Sequence, residues 1–429
     1  MNLKRIRSSA TGVLLAAALS VGFLTVSTGA AHAVASCGGD VSVYGVLADG
    51  RLTYTAIAPT TGDRERTLIG PALGFTPKAM ATLNFNTILV TSTAGDLYRV
   101  DVQTNTNALT LAAVVKIWDG GWTFDKMAYD GHGHLYGTVS GQLHQYVVSE
   151  DKPSGPAHIG QHALIDTGFV LKTLAAAGDD QLVATTSDGR LLSYKINGVG
   201  DWDRAVLAPS GWSAVDSLSS PGGGLYYGRT NGGLYWYTDD DPFDGDGGDM
   251  TYHTSDPVDA SGWTQSILSA SGGNCAYVPS APPASSIGGT ISRAEVLARG
   301  KNWYDRDVPY NQGATAPDVS GTKSYRTDCS GFVSMSWHLS TSETTSTLGS
   351  VATTISKSAL RPGDALNDAG EHTVLFIGWK DQDAGTFYYY SESNPSVDME
   401  YGSANVNSGS IAGHPASAYV ALRYKKIAS

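Results

Sequence analysis

Leu182-Val-Ala-Thr-Thr-Ser-Asp-Gly-Arg-Leu191 decides the fold, because it does not occur once. Two short β-prone runs flank an Asp-Gly turn, which reads as strand, hairpin turn, strand. The same pattern stands at Val43-Tyr-Gly-Val-Leu-Ala-Asp-Gly-Arg-Leu52, Leu89-Val-Thr-Ser-Thr-Ala-Gly-Asp-Leu97, Leu135-Tyr-Gly-Thr-Val-Ser-Gly-Gln-Leu143 and Leu225-Tyr-Tyr-Gly-Arg-Thr-Asn-Gly-Gly-Leu234. Leu52, Leu97, Leu143, Leu191 and Leu234 fall 45, 46, 48 and 43 residues apart. A second marker, Gly followed by an aromatic, recurs at Phe75, Trp122, Phe169, Trp212 and Trp263. Self-similarity at this period, with about four short strands per unit, predicts a β-propeller of five blades over residues 38–278.

The last marker, Trp263, is followed by Ser266-Ile-Leu-Ser269 and Cys275, whereas the first repeat opens on its hairpin with no marker before it. The two ends of the repeat region are therefore expected to complete one blade between them. The chain holds three cysteines, Cys37, Cys275 and Cys329. A bridge between Cys37 and Cys275 would lock the ring and leave Cys329 free; either other pairing would tie Cys329 up.

At this point the repeat resembles the tachylectin type of five-bladed lectin propeller. The resemblance implies binding of N-acetylated amino sugars between blades. Phe75, Trp122, Phe169, Trp212 and Trp263 are then candidate stacking platforms for sugar rings, and equally candidates for core between blades. The acidic stretch Asp239-Asp-Asp-Pro-Phe-Asp-Gly-Asp-Gly-Gly-Asp249 has the composition of a calcium loop but not the EF-hand spacing, and reads as a solvated insertion. His132 and His134 flank Gly133 in a turn with no third ligand in the pattern and read as surface residues; no metal or other cofactor is expected.

Residues 1–33 read as a secretory signal: Lys4, Arg5 and Arg7 precede an apolar run from Val13 to Val26, and Ala31-His-Ala33 offers a cleavage site. A secreted, extracellular or wall-associated protein is expected. The formal charge of −12 becomes about −15 once those three cations are removed. Such an acidic chain lacks the electrostatic footprint for nucleic acid or anionic membrane. A monomer is expected.

Residues 279–289 are rich in Pro, Ser and Gly and read as a linker. Ser292-Arg-Ala-Glu295 then reads as a capping box, opening a helix to about Trp303 and a second domain over 290–429. There, Arg326-Thr-Asp-Cys-Ser-Gly-Phe-Val-Ser-Met-Ser336 sets Cys329 at the start of a helix. Unpaired amides and the helix dipole at such a place favour a thiolate, so a lowered pKa is expected. His372 enters a strand running to Trp379; His338 lies too far along the helix to reach Cys329, and His414 sits in a patternless loop, which leaves His372 as the base. Glu392 on the next strand is the first choice to orient the imidazole and Asn394 the second, while Glu371 should face the other way. A nucleophile at a helix start, an imidazole on a strand and an acceptor on the next give an α+β, papain-like layout.

Asp328-Cys-Ser-Gly-Phe-Val333, Val308-Pro-Tyr310, Arg361-Pro-Gly-Asp364 and His372-Thr-Val374 together resemble the NlpC-type cell-wall cysteine peptidases. The resemblance implies a peptidoglycan hydrolase cutting amide or isopeptide bonds of stem peptides, with Cys329 as nucleophile and His372 as base. Tyr310 would help shape the acyl site, with Asp328 and Ser330 beside it. The alternative expectation is an N-acetyl-sugar lectin whose C-terminal domain is inactive, or works as an amidase, transpeptidase or acyltransferase.

Overall fold

The computed structural model describes residues 34–105, 107–278 and 284–428. The expected signal segment and residues 279–283 of the expected linker lie outside them. Mostly β, the chain has a propeller-like arrangement in its N-terminal part and few helices. Four antiparallel sheets of four strands stand separately, three of them made of strands consecutive in the chain. One comprises Pro77–Asn84, Thr87–Ser92, Leu97–Gln103 and Thr110–Trp118; another begins at Lys126–Tyr129 and a third at Val215–Gly222. The fourth joins the two ends of the repeat region, because Ile267–Ala270 pairs with Val41–Val46 and places Val43 opposite Ala270. Beside it Val34–Cys37 pairs with Cys275–Val278, and a disulfide joins Cys37 to Cys275. This is the closure that the sequence predicts.

Five separate blades are predicted, and four sheets stand alone. The strands Ala175–Gly178, Gln181–Thr185, Leu191–Gly198 and Asp201–Ala208 keep the same up-and-down order, but their outer strand continues into another sheet. Arg204 registers with Asp381 in parallel, and its guanidinium binds the Asp381 carboxylate at 2.7 Å. An outer strand presents unpaired amides and carbonyls, so a neighbouring strand can extend it. The innermost strands of all these sets still touch in a round, Pro77–Asn84 against Lys126–Tyr129 and so on to Ile267–Ala270, which returns to the first. They line a central cavity of about 290 Å³ bearing Lys78, Lys126, Lys172, Asp125 and Asp216.

The Gly-aromatic markers lie within the hydrophobic clusters between sheets. Trp122, Phe169, Trp212 and Trp263 are buried, and Phe75 is half-buried. Four of the markers meet a tyrosine: Phe75 with Tyr98 at 4.0 Å between centroids, Trp122 with Tyr146 at 4.6 Å, Phe169 with Tyr194 at 5.1 Å and Trp212 with Tyr237 at 4.6 Å. Each ring so covered contributes about 2–3 kcal/mol. Of the two readings left open by the sequence, Trp122, Phe169, Trp212 and Trp263 take the core one, and Phe75 packs at the edge of a cluster.

Past the linker, helix α1 runs Arg293–Asp305, and the Ser292 hydroxyl accepts the Glu295 N–H as a cap. The reciprocal half of the capping box is absent, because the Glu295 carboxylate instead takes the N–H and hydroxyl of Ser285, tying down the described end of the expected linker. Helix α2, Cys329–Ser336, packs with α1 on a sheet ordered Ala352–Ile355, Val420–Tyr424, Ala365–Asp368, His372–Asp381, Thr386–Glu392, Met399–Asn405. Leu375 faces the helices with Phe332, Val333 and Trp303, while Val374 and Phe376 face the other side with Phe387 and Tyr419. Among the described residues no helix is long and apolar enough to cross a membrane.

Candidate functional site

The start of α2 is built tightly. The Asp328 carboxylate accepts the Gly331 N–H at 2.7 Å and the Ser330 hydroxyl at 3.0 Å, and the Arg326 guanidinium clasps both Asp328 and Ser330. Only glycine fits at 331, since a Cβ there would lie 1.9 Å from the Arg326 carbonyl oxygen. Asp328 and Ser330 thus hold the helix end.

Cys329 is a free thiol and is buried. The backbone N–H groups of Thr373 and Ser330 are directed at its sulfur. The expected lowering of its pKa does not occur. Burial, which disfavours the anion, pushes the thiol up to about 11 and outweighs those two N–H groups. Thr373 follows His372, so the strand that carries the imidazole also reaches the sulfur.

His372 is buried, and its Nε2 lies 2.8 Å from Ser391 Oγ. Its ring stacks on His414 with centroids 5.1 Å apart and planes within 10°. Burial first, and His414 second, pull its pKa down to about 4, so the ring is neutral near pH 7. The expected orienters are displaced. Glu392 is fully buried with neither carboxylate oxygen hydrogen-bonded, and Asn394 turns its Oδ1 to the N–H of Ser396. Along a strand successive side chains face opposite sides, so Ser391 meeting the imidazole sends Glu392 away from it. Burial, then Asp398, Asp328 and Asp307, push Glu392 up to about 8.

Tyr310 lies among the groups that sense charge on Cys329, Asp328 and Glu392, and its hydroxyl accepts from Gln312 at 2.9 Å. Tyr419, buried on the far side, also senses Cys329. Sequence reasoning missed Ser391, His414 and Tyr419. Ser391 was recoverable from strand alternation; His414 comes from a loop whose sequence carries no signal. His338 lies past the helix on which the sequence reading put it: α2 stops at Ser336, and the His338 ring bonds Ser285 Oγ at 2.7 Å.

In the propeller-like part, the reading of His134 as a surface residue without a third partner is corrected. Asp130, His134 and Asp180 bring one ligand atom each within 4.8 Å of one another. His134 Nδ1 is 2.5 Å from Asp180 Oδ1, an imidazole–carboxylate hydrogen bond joining turns of adjacent strand sets. His132 is exposed as expected. The acidic stretch is not solvated either: Asp239 and Asp246 are buried, and Arg361 of the second domain binds Asp246 at 2.6 Å.

Solved structures with some likeness include a symmetrical protein studied for its de novo evolutionary emergence under folding constraints, 18% identical, covering 53% of this chain and 97% of its own, with a TM-score of 0.41. Another is a putative 6-phosphogluconolactonase from Bacteroides uniformis, 14% identical, covering 47% of this chain and 65% of its own, with a TM-score of 0.28. No curated protein matches the chain. Residues 86–268, which lie wholly within the propeller-like part, match the tachylectin family model.

Proposed function

We propose that this protein is a carbohydrate-binding lectin whose N-terminal part is a ring of five tachylectin-like blades taking N-acetylated amino sugars. The observation that carries this reading is the match of residues 86–268 to the tachylectin model across the repeated four-stranded sets. With four of the five markers buried, the sugar contacts fall to polar groups on the loops between sets. Retention of the full chain on an N-acetylated amino-sugar resin, and its release by the free sugar, tests the reading; passage without retention would refute it.

A second activity is favoured by one arrangement, a free thiol at a capped helix start beside the strand of a buried imidazole. In this reading the C-terminal domain is a papain-like, NlpC-type thiol hydrolase acting on peptidoglycan stem peptides, and the lectin holds the enzyme on its polymer. Both groups are neutral in the free protein, so the proton passes from sulfur to His372 as the sulfur attacks the scissile carbonyl carbon. Ser391 engages Nε2, which leaves Nδ1 to take that proton. The ring then protonates the departing amine, and water releases the acyl group. The secreted location implied by residues 1–33, and a monomeric state, belong to the same proposal. Mass spectrometry of purified peptidoglycan after incubation, with Cys329→Ala alongside, tests it: no new fragments from the native chain, or the same fragments from both, would remove the enzyme and leave the lectin.

A further inference from the structure

Asp130, His134 and Asp180 meet at the turns of two adjacent strand sets. Asp130 follows Lys126–Tyr129 and His134 opens the next strand, whereas Asp180 lies in the turn between Ala175–Gly178 and Gln181–Thr185. Each offers one ligand atom, and the three atoms lie within 4.8 Å of one another. The Asp130 side chain is only 1% exposed. Its Oδ1 accepts the N–H groups of His132 and His134 at 2.8 and 2.9 Å, which fixes the carboxylate. Its Oδ2 has no hydrogen-bond partner and points at His134 Nδ1, 3.7 Å away. A buried carboxylate oxygen left without a donor is costly unless something positive meets it.

The other two ligands are oriented from behind. Asp180 Oδ1 lies 2.5 Å from His134 Nδ1 and accepts the Tyr136 hydroxyl at 2.5 Å, and Gln145 Nε2 donates to that hydroxyl at 2.7 Å. Such outer partners fix the direction of a metal ligand. The turn after Asp130 cannot draw back, since a Cβ at Gly131 would fall 2.3 Å from the Gly273 nitrogen. Ligand atoms at the corners of a zinc tetrahedron with bonds near 2.0 Å stand about 3.3 Å apart. The 3.7 Å gap therefore closes by about 0.4 Å and the 2.5 Å contact opens by about 0.8 Å to admit the ion. His134 and Asp180, with side chains 33% and 28% exposed, have room for that adjustment and leave the fourth position to water. One imidazole nitrogen among two carboxylates suits zinc over calcium and magnesium, which take oxygen alone.

We infer that Asp130 Oδ2, His134 Nδ1 and a carboxylate oxygen of Asp180 bind one zinc ion, which staples the two strand sets together. This departs from the expectation of no metal. It stands whether or not the ring binds sugar or the thiol of Cys329 is catalytic.

The test is calorimetric titration of the full chain, stripped with a chelator, with zinc chloride and in parallel with calcium chloride at neutral pH. Zinc should bind at least tenfold more tightly than calcium, and raise Tm by about 5 °C at a hundred times Kd. The exposed rings of His144 and His162, 2.9 Å apart, can take zinc of their own, so the readout is the equivalent that a variant loses. Asp130→Asn keeps an oxygen for the two N–H groups and replaces only the unpartnered one; Asp180→Asn tolerates the left-handed backbone at φ 61°. Each should bind one equivalent of zinc fewer, or bind it at least tenfold more weakly. Should Asp130→Asn fail to fold, Asp180→Asn carries the comparison. A native chain that takes no zinc or takes calcium as tightly, or a folded variant with native stoichiometry and affinity, would overturn the inference.

Discussion

His372 Nε2 holds Ser391 Oγ at 2.8 Å, while the next residue along the strand, Glu392, lies buried with both carboxylate oxygens unpartnered. One step along a strand thus separates the group that orients the ring from the group that does not. Under the proposed thiol-hydrolase reading, Ser391→Ala should lower kcat on a soluble stem peptide about tenfold with KM little changed, the worth of one hydrogen bond near 1.4 kcal/mol. Glu392→Gln should leave kcat within about twofold. The opposite ranking in steady-state kinetics would give the orienting role to Glu392.

Glu392 also sets a pH dependence of stability. Its pKa rises from an ordinary value near 4.5 to about 8 in the fold, so between those values the folded chain binds the proton and the unfolded chain does not. Stability then falls as pH rises through that window. His372 works the other way over an overlapping range: with a folded pKa of about 4 against 6.5, stability is lost as pH falls from 6.5 towards 4. The two groups oppose each other up to 6.5, and of the two Glu392 alone sets the slope from there to 8. Glu392→Gln should remove the alkaline loss, stabilising the protein by about 2 kcal/mol at pH 8.5. Denaturant melts at pH 6 and pH 8.5 check this; an equal effect at both would contradict it.

The thiol of Cys329 offers a direct reading of its surroundings. Pushed up to about 11 by burial, it holds under one part in a thousand of thiolate at pH 7.5. Alkylation by iodoacetamide should be at least tenfold slower than that of a free cysteine, and still be rising at pH 10. A rate that levels off below pH 7 would show a thiolate stabilised at the helix start after all.

The fold was legible where the sequence repeats itself. Each hairpin of Leu52, Leu97, Leu143, Leu191 and Leu234 lies in a four-stranded run, because a turn and two alternating strands are local matters. What joined one run to the second domain was not local: Arg204 and Asp381 stand far apart in sequence, and no pattern announces their pairing. At the candidate site, Asp328 was readable as a cap from residue type alone. The sign of the Cys329 shift was not, since dipole and amides are properties of a helix start whereas burial depends on everything packed over it. The loop at Asp239–Asp249 was misjudged for the same reason, its composition being that of a solvated segment and its surroundings those of an interface.

The disulfide between Cys37 and Cys275 closes the sheet that both ends of the repeat region share. Without it, the sheet is held by the pairing of Ile267–Ala270 with Val41–Val46 and by burial of Trp263 with Val41 and Leu268. A cross-link over so long a stretch chiefly restrains the unfolded chain, so its removal should cost about 2–5 kcal/mol. Cys37→Ser with Cys275→Ser should therefore lower Tm by several degrees in a scanning calorimeter, and the pair should behave no worse than either single substitution. Because opening begins where the ends meet, amide exchange should speed up first in Val41–Val46 and Ile267–Ala270, before the sheet that starts at Lys126–Tyr129. Uniform acceleration across all the sheets would mean that the bridge guards the whole fold and not its seam.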